Sequence, residues 1–292
     1  MKICFATILG RPNVGKSSLL NAIVGYNVAI VTPTAQTTRD QITGIYTENE
    51  YQIIFSDTPG IHKPLNKLGE ALNKNAYDSI KNIDVILFLT PADELIGKGD
   101  EMILEKIKNI PHKIAVVSKI DKIKSNPSFL EEKLRELEKY NFEHIVSTDV
   151  NNFSSIQALI DLLKTYTYPG EAQYDVDYVT DKSMRFLAKE IIRESAINRL
   201  YQELPHSIAV EVTDFIEDPE HLEINAIIYV KKSSQKGMVI GKGAQMIKNI
   251  GIDARKKISH QFDIPTILNL KVKVANKWID DEETLSKFGY RN

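Results

Sequence analysis

The chain has 292 residues, and at roughly 150 residues per domain it divides into about two. Hydrophobic residues at 42% and charged residues at 26% exclude a disordered chain, and no apolar run approaches the ~20 residues of a membrane span. A net charge of -2 argues at first sight against a polyanion partner, but the sum conceals an uneven distribution.

From the start, ICFATIL reads as a buried strand, followed by the loop GRPNVGKSS and a helix through SLLNAIVG, with Gly25 as its stop. YQIIFSD is a strand ending at Asp57, and LGEALNKNAYDSIKNI has helical spacing. VILFLT is a buried strand, DEMILEKIKNI a helix, and KIAVVSKID a strand ending on a polar motif. FLEEKLRELEKY, HIVST and SIQALIDLLKTY continue as helix, strand and helix. Such alternation predicts a mostly parallel sheet wound on both faces. The single cysteine, Cys4, falls in the first apolar run as a small core residue and implies a reducing compartment. The first strand leads straight into a glycine loop, so no signal-peptide pattern is expected.

That rhythm stops at YTYPGEAQYDVDYVTD. Residues 1–168 are therefore an α/β domain, 169–180 a linker marked by Pro169 and Gly170, and 181–292 a second, α+β domain. In the second, SMRFLAKEIIRESAINRLYQ is a long helix, SIAVEVTDFIED and LEINAIIYVKK are two strands joined across Pro219, and AQMIKNIGIDARKKISHQF is a helix continuing through Gly251. ILNLKVKVA is a third strand, and a closing helix follows.

GRPNVGKSS fits G-x-x-x-x-G-K-S/T from Gly10 to Ser17, between a strand and a helix. The glycines let backbone N–H groups converge on phosphates, Lys16 supplies a point charge at the β/γ oxygens, and the Ser17 hydroxyl ligates Mg2+. DTPG follows at 57–60: Asp57 at a strand end can hold the Mg2+ shell, and the Gly60 N–H can reach a γ-phosphate. Between them, TAQTTRD offers a threonine hydroxyl to the metal, with Thr38 chosen and Thr37 as the alternative. In SKID, Asp121 can accept both hydrogens of guanine, which adenine does not supply, and Lys119 can lie along the base; as an alternative, Asp121 is a helix N-cap. In VST, the backbone at Ser147-Thr148 can meet the guanine carbonyl.

The charge is partitioned along the chain. Residues 1–170 are net -1, residues 171–230 are net -8 and residues 278–292 net -2. Residues 231–277 hold 11 basic and 2 acidic residues, net +9, a candidate polyanion surface or a solvated face paired with the acidic block.

The order G-x-P-N-V-G-K-S, T-T-R, D-T-P-G, S-K-I-D, V-S-T resembles the translation-factor-class small GTPases. LPHSIAVEV, VIGKGAQMIKNIGIDARKKI and the tail WIDDEETLSKFGY are similar to the Era family, and the resemblance covers essentially the whole chain. It implies a P-loop GTPase domain followed by a type II KH RNA-binding domain, with GTP or GDP and Mg2+ as ligands. It also implies binding to the 3′ region of small-subunit ribosomal RNA and the 30S-type subunit, a role in small-subunit assembly, a monomer, and a cytoplasmic location that extends to the membrane surface. The GTP-binding set it implies is Gly10, Asn13, Val14, Gly15, Lys16, Ser17, Ser18, Thr38, Asp57, Gly60, Ser118, Lys119, Asp121, Ser147 and Thr148. Of these, Ser17 and Thr38 would ligate Mg2+, with Asp57 behind them, while Lys16, Thr38, Asp57 and Gly60 would serve catalysis. In the KH domain the glycine loop between two helices is Gly241-Lys242-Gly243-Ala244, with Ile240, Met246 and Ile247 as an apolar floor and Lys242 and Lys248 for phosphate.

Several positions depart from the family pattern. Ser118 stands where the family has the Asn that ties the base site to the phosphate loop, which predicts lost reach and weaker guanine binding. Thr148 replaces an alanine in the base-carbonyl motif, and Ala244 replaces the last glycine of G-x-x-G. Ile61 follows DTPG where many GTPases place a water-orienting Gln; backbone groups or a K+ ion held near Asn13 are the alternatives, and turnover is expected to be slow. Arg39 is expected on the surface of the switch loop rather than as an arginine finger.

Overall fold

The computed structural model describes residues 1–123 and 127–290. They group into two units: Met1–Ala29, Thr38–Pro64 and Leu72–Asp181 form the first, and Ile30–Thr37, Leu65–Ala71 and Lys182–Asn292 the second.

Up to Asp181 the elements are β1 (Lys2–Leu9), α1 (Lys16–Val24), β2 (Ile42–Glu48), β3 (Tyr51–Asp57), α2 (Lys67–Asp78), β4 (Val85–Pro91), α3 (Lys98–Ile107), β5 (Lys113–Ser118), α4 (Pro127–Leu137), β6 (His144–Ser147), α5 (Phe153–Lys164) and β7 (Tyr168–Pro169). The sheet order is β2-β3-β1-β4-β5-β6, with β7 paired antiparallel to the start of β1. From β3 to β6 all neighbours are parallel, and every residue of β4 and β5 is buried. A parallel sheet covered on both faces needs such unbroken apolar strands, which is why these two are plain in the sequence. β2 is a strand that the sequence pattern does not announce, because Thr43, Gly44 and Thr47 interrupt its apolar run. It pairs antiparallel with β3 from Ile42↔Asp57 to Glu48↔Tyr51. Residues after β7 satisfy this edge: Ile45 donates its N–H to the Val179 carbonyl, and Thr180 Oγ1 donates to the Thr43 carbonyl at 2.6 Å. The Gln52 side chain binds the backbone of Gln173 and Tyr174.

From Lys182 the elements are α6 (Met184–Arg199), α7 (Leu204–Ser207), β8 (Ala209–Glu217), β9 (Leu222–Val230), α8 (Ser233–Ile240), α9 (Gln245–Phe262), β10 (Thr266–Val274) and α10 (Glu282–Lys287). The sheet order is β10-β9-β8, with β10 parallel and β8 antiparallel to β9. Ile192, Ala196, Ile228, Val239, Ile250, Ala254 and Ile258 form its core with the helices. Trp278 is fully buried near the C-terminus, donating Nε1–H to the Ser207 carbonyl at 2.9 Å and meeting Phe288 edge-on. Periodicity alone predicts one helix between β9 and β10; there are two, because α8 contains Gly237 and lacks a clear apolar stripe. Among the described residues, no helix is long and apolar enough to cross a membrane.

Candidate functional site

The phosphate loop joins β1 to α1 at the carboxyl edge of the sheet. Asp57, Ser118 and Ser147 end β3, β5 and β6 on that same edge. In open α/β sheets this is where ligands bind. Register fixes the central pair: Ile8 lies beside Asp57, and Thr58 Oγ1 donates to the Ile8 carbonyl at 2.9 Å. Gly15 takes φ +105 as the loop enters α1, a conformation L side chains avoid.

Three oxygens converge in front of α1. Ser17 Oγ donates to Asp57 Oδ2 at 2.7 Å and shares a hydrogen bond with Thr38 Oγ1 at 2.8 Å. The Thr37 hydroxyl is occupied elsewhere, donating to the Thr34 carbonyl at 2.6 Å, so the structure brings Thr38 rather than Thr37 to Ser17. Asp57 is fully buried and its Oδ1 has no hydrogen-bond partner. Two hydroxyls and a carboxylate with an unpartnered oxygen are hard donors that fit Mg2+.

Lys16 is buried and folded onto its own loop, donating to the carbonyls of Gly10 at 3.1 Å and Arg11 at 2.9 Å. Burial pushes its ammonium down to about 8, opposed by Asp57. Burial pushes Asp57 up to about 6, opposed by Lys16, the Ser17 hydroxyl and the Thr58 N–H. Burial thus moves both groups toward their neutral forms, Lys16 downward and Asp57 upward.

Beyond Asp57, Gly60 abuts Pro12 so closely that a Cβ there would lie 2.6 Å from the Pro12 N and Cα. Ile61 is fully buried in the core with Leu9, Ala76 and Phe88, and donates its N–H to the Gly10 carbonyl at 3.3 Å. Sequence reasoning missed the clamp that follows. Asn73 Oδ1 accepts from the His62 N–H, and Asn73 Nδ2 donates to the His62 carbonyl at 2.6 Å. Only tertiary folding brings this α2 residue to His62, so no local signal marks it. Arg39, expected on the surface, is 3% exposed.

On the base side, Ser118 Oγ donates to the Val14 carbonyl at 2.6 Å, and Lys119 Nζ to the Asn13 carbonyl at 2.5 Å. Asp121 is exposed in a short 3-10 turn, with its side chain open to a ligand. The Thr148 N–H differs from expectation: it is donated to the Val117 carbonyl at 2.8 Å, while the buried Thr148 Oγ1 has no partner. The hydroxyl, not the N–H, is the unspent donor at this position.

In the second unit Gly241 closes α8 at φ +76, and Gly243 and Ala244 follow at φ +57 and +59. Lys242, Gly243, Ala244 and Lys248 are exposed, whereas Ile240, Met246 and Ile247 are half-buried against the core. Within the basic block, Lys257 pairs with Glu194 at 2.7 Å, and Asp253 with Arg199 at 2.5 Å. One lysine of α9 is thus paired with the acidic stretch, while the Arg199–Asp253 pair takes up one of the block's two acids.

A family model described as a 50S ribosome-binding GTPase matches residues 5–120, and a KH domain model matches residues 203–279. The chain is 62% identical over 290 residues to the GTPase Era of Mycoplasmopsis agalactiae, covering 99% of this chain and 100% of the relative. The chain belongs to the Era family. A solved Era from Aquifex aeolicus, a tyrosine-to-alanine variant bound to GDP and aluminium fluoride, superposes with a TM-score of 0.95 at 35% identity, covering 100% of both chains. An Era solved with MgGDPNP and nucleotides 1506–1542 of 16S ribosomal RNA superposes equally well, at 34% identity and with the same coverage. This Era-family chain is accordingly a GTP-binding GTPase with a KH domain.

Proposed function

We propose that the chain hydrolyses GTP slowly at the phosphate loop and binds the 3′ region of small-subunit ribosomal RNA through the glycine loop, assisting assembly of that subunit. The convergence of Ser17, Thr38 and Asp57 beside a buried Lys16 is the observation that carries the nucleotide reading. The similarity to an Era solved with 16S ribosomal RNA supports the RNA reading.

On nucleotide binding, Lys16 exchanges the carbonyls of Gly10 and Arg11 for β/γ-phosphate oxygens. Backbone N–H groups of residues 13–18 cradle the phosphates. Ser17 and Thr38, which meet Asp57 through Ser17, would hold Mg2+, with Asp57 behind them. When bound, Mg2+ neutralises charge developing on the transferred phosphoryl group. Asp121 selects guanine, with Lys119 bracing the base against the Asn13 backbone. Ile61 is buried and offers no hydrogen bond to water, and Arg39 is buried as well. Catalysis then rests on the Gly60 N–H and other backbone groups, Asn13 being the residue that would hold a K+ ion, and turnover is slow.

Nucleotide state gates RNA engagement in this reading. Thr38 meets Ser17 in the first unit, and its chain neighbour Thr37 belongs to the second, where its carbonyl accepts from Arg193 Nη2 at 2.6 Å. Crosslinking the protein to RNA in cells and sequencing the bound sites tests the proposal. Enrichment at the 3′ end of small-subunit ribosomal RNA is expected, and its absence would sink the RNA reading. Phosphate release abolished in Lys16→Ala tests the nucleotide half.

A further inference from the structure

A charged cluster beside the phosphate loop has no part in the nucleotide chemistry above. Arg11 Nε lies 2.8 Å from Asp100 Oδ2, an ion pair rather than an aligned hydrogen bond. Arg11 Nη2 lies 2.8 Å from Glu94 Oε2. Asp100 stands in the first turn of α3, fully buried, and its Oδ2 also accepts from the Gly97 N–H at 3.1 Å. Its Oδ1 is buried without a hydrogen-bond partner. The Arg11 stem lies on Gly99, where a Cβ would approach Arg11 Cδ to 2.7 Å. Lys133 of α4, also buried, donates to the Glu94 carbonyl at 2.7 Å.

A buried carboxylate with an unpaired oxygen is costly, and it becomes more so if its cation is removed. What this arrangement holds in place is the backbone of residues 10–12. The Arg11 carbonyl is one of the two that receive Lys16, and the next residue, Pro12, is the one against which Gly60 is jammed. Proline has a fixed φ, so displacement at Arg11 passes to Pro12 with little slack. Residues 10–12 are thus wedged, with α3 gripping the Arg11 side chain and Gly60 abutting Pro12.

We propose that Arg11 and Asp100 form an anchor that sets the position of residues 10–12 and, through Pro12, that of Gly60, so that it supports the triphosphate-bound state more than the diphosphate-bound state. The inference rests on the reading that the Gly60 N–H faces the γ-phosphate. Arg11 and Asp100 are positioning residues and act through the loop backbone.

The test measures affinity of the full chain for Mg·GDPNP and Mg·GDP, with thermal unfolding alongside. Arg11→Ala and Asp100→Asn, the second of which keeps an oxygen for the Gly97 N–H, should weaken GDPNP about tenfold more than GDP. The double variant Arg11→Ala/Asp100→Ala removes the stranded carboxylate. It should recover stability relative to Arg11→Ala while the GDPNP:GDP preference stays lost. Equal loss of both ligands, or a preference that returns together with stability, would overturn the anchor. Gly60→Ala, whose Cβ would strike Pro12, separates the two readings. Selective loss of GDPNP there but not in Arg11→Ala overturns the anchor and leaves the γ-phosphate site standing. No selective loss in Gly60→Ala overturns the γ-phosphate reading and the anchor with it.

Discussion

Ser118 Oγ donates its proton to the Val14 carbonyl at 2.6 Å, with the Thr90 carbonyl a longer second acceptor at 3.4 Å, and the residue is 5% exposed. The serine therefore spans the gap between the base motif and the phosphate loop that its short side chain was expected to leave open. With that proton spent, Ser118 has no hydrogen to offer the base, and its role is to brace the loop. Ser118→Ala leaves the Val14 carbonyl without this donor, a loss of about 1–3 kcal/mol for a buried group. Guanine-nucleotide affinity and thermal stability should both fall in that variant. An alanine variant with wild-type GDP affinity would show that the brace has no consequence for binding.

The loop has a pH window set by two buried groups. Asp57 is raised to about 6, so below that pH it is neutral and a poor partner for the Mg2+ shell. Lys16 is lowered to about 8, so above that pH it loses the charge that phosphate requires. Affinity for Mg·GDP should peak between about 6 and 8 and fall on both sides. The stability of the empty protein runs the other way. The raised Asp57 favours the folded state at low pH, and that contribution is lost as pH rises to about 6. The depressed Lys16 disfavours the folded state while charged, and that penalty is relieved as pH rises past about 8. Thermal shift by Mg·GDP should therefore be largest within the same window. A shift that is flat from pH 5 to 9 would contradict this linkage.

The nucleotide motifs were legible in the sequence because each is local: a glycine loop, a strand-end aspartate and a polar turn after an apolar strand. β4 and β5 were legible because burial on both faces favours near-continuous apolar runs, here VILFL and IAVV. What was not legible depends on partners far along the chain. β2 is defined by β3 and by residues 179–180, and the His62 clamp by Asn73 on α2. Asp100 looks like a routine first-turn acid of α3 until folding sets Arg11 against it. Arg39 reads as a surface switch residue, and its burial follows only from tertiary packing.

Ala244 occupies the left-handed region at φ +59 immediately before α9. An L residue there is strained by roughly 1–2 kcal/mol, which glycine avoids. Glycine also loses more backbone entropy on folding, by about 0.5–1 kcal/mol. Ala244→Gly should thus stabilise the second unit by at most about 1.5 kcal/mol, while removing a methyl from an exposed loop. If RNA backbone passes over residues 241–244, affinity for a short single-stranded RNA should rise more than the stability gain explains. Unchanged affinity would place the RNA path elsewhere.

Arg193 joins a buried ion pair to the switch segment. Its Nε donates to Glu190 Oε1 at 2.9 Å, its Nη2 reaches Glu190 Oε2, and Nη2 also donates to the Thr37 carbonyl. Both side chains are at most 5% exposed. Replacing one partner alone strands a buried charge at about 3–5 kcal/mol, whereas replacing both with apolar residues of similar size is often neutral or stabilising. Glu190→Leu/Arg193→Met should therefore fold while losing the donor to Thr37. If that donor links Thr38 to RNA binding, the difference in RNA affinity between the GDPNP and GDP forms should shrink toward none. Nucleotide affinity itself, set by Lys16, Ser17 and Asp121, should change little. A double variant that keeps the full wild-type difference would show that the Thr37 carbonyl does not carry the signal. Arg193→Met alone, if destabilised while the double variant is not, would show that the stranded Glu190 causes the damage.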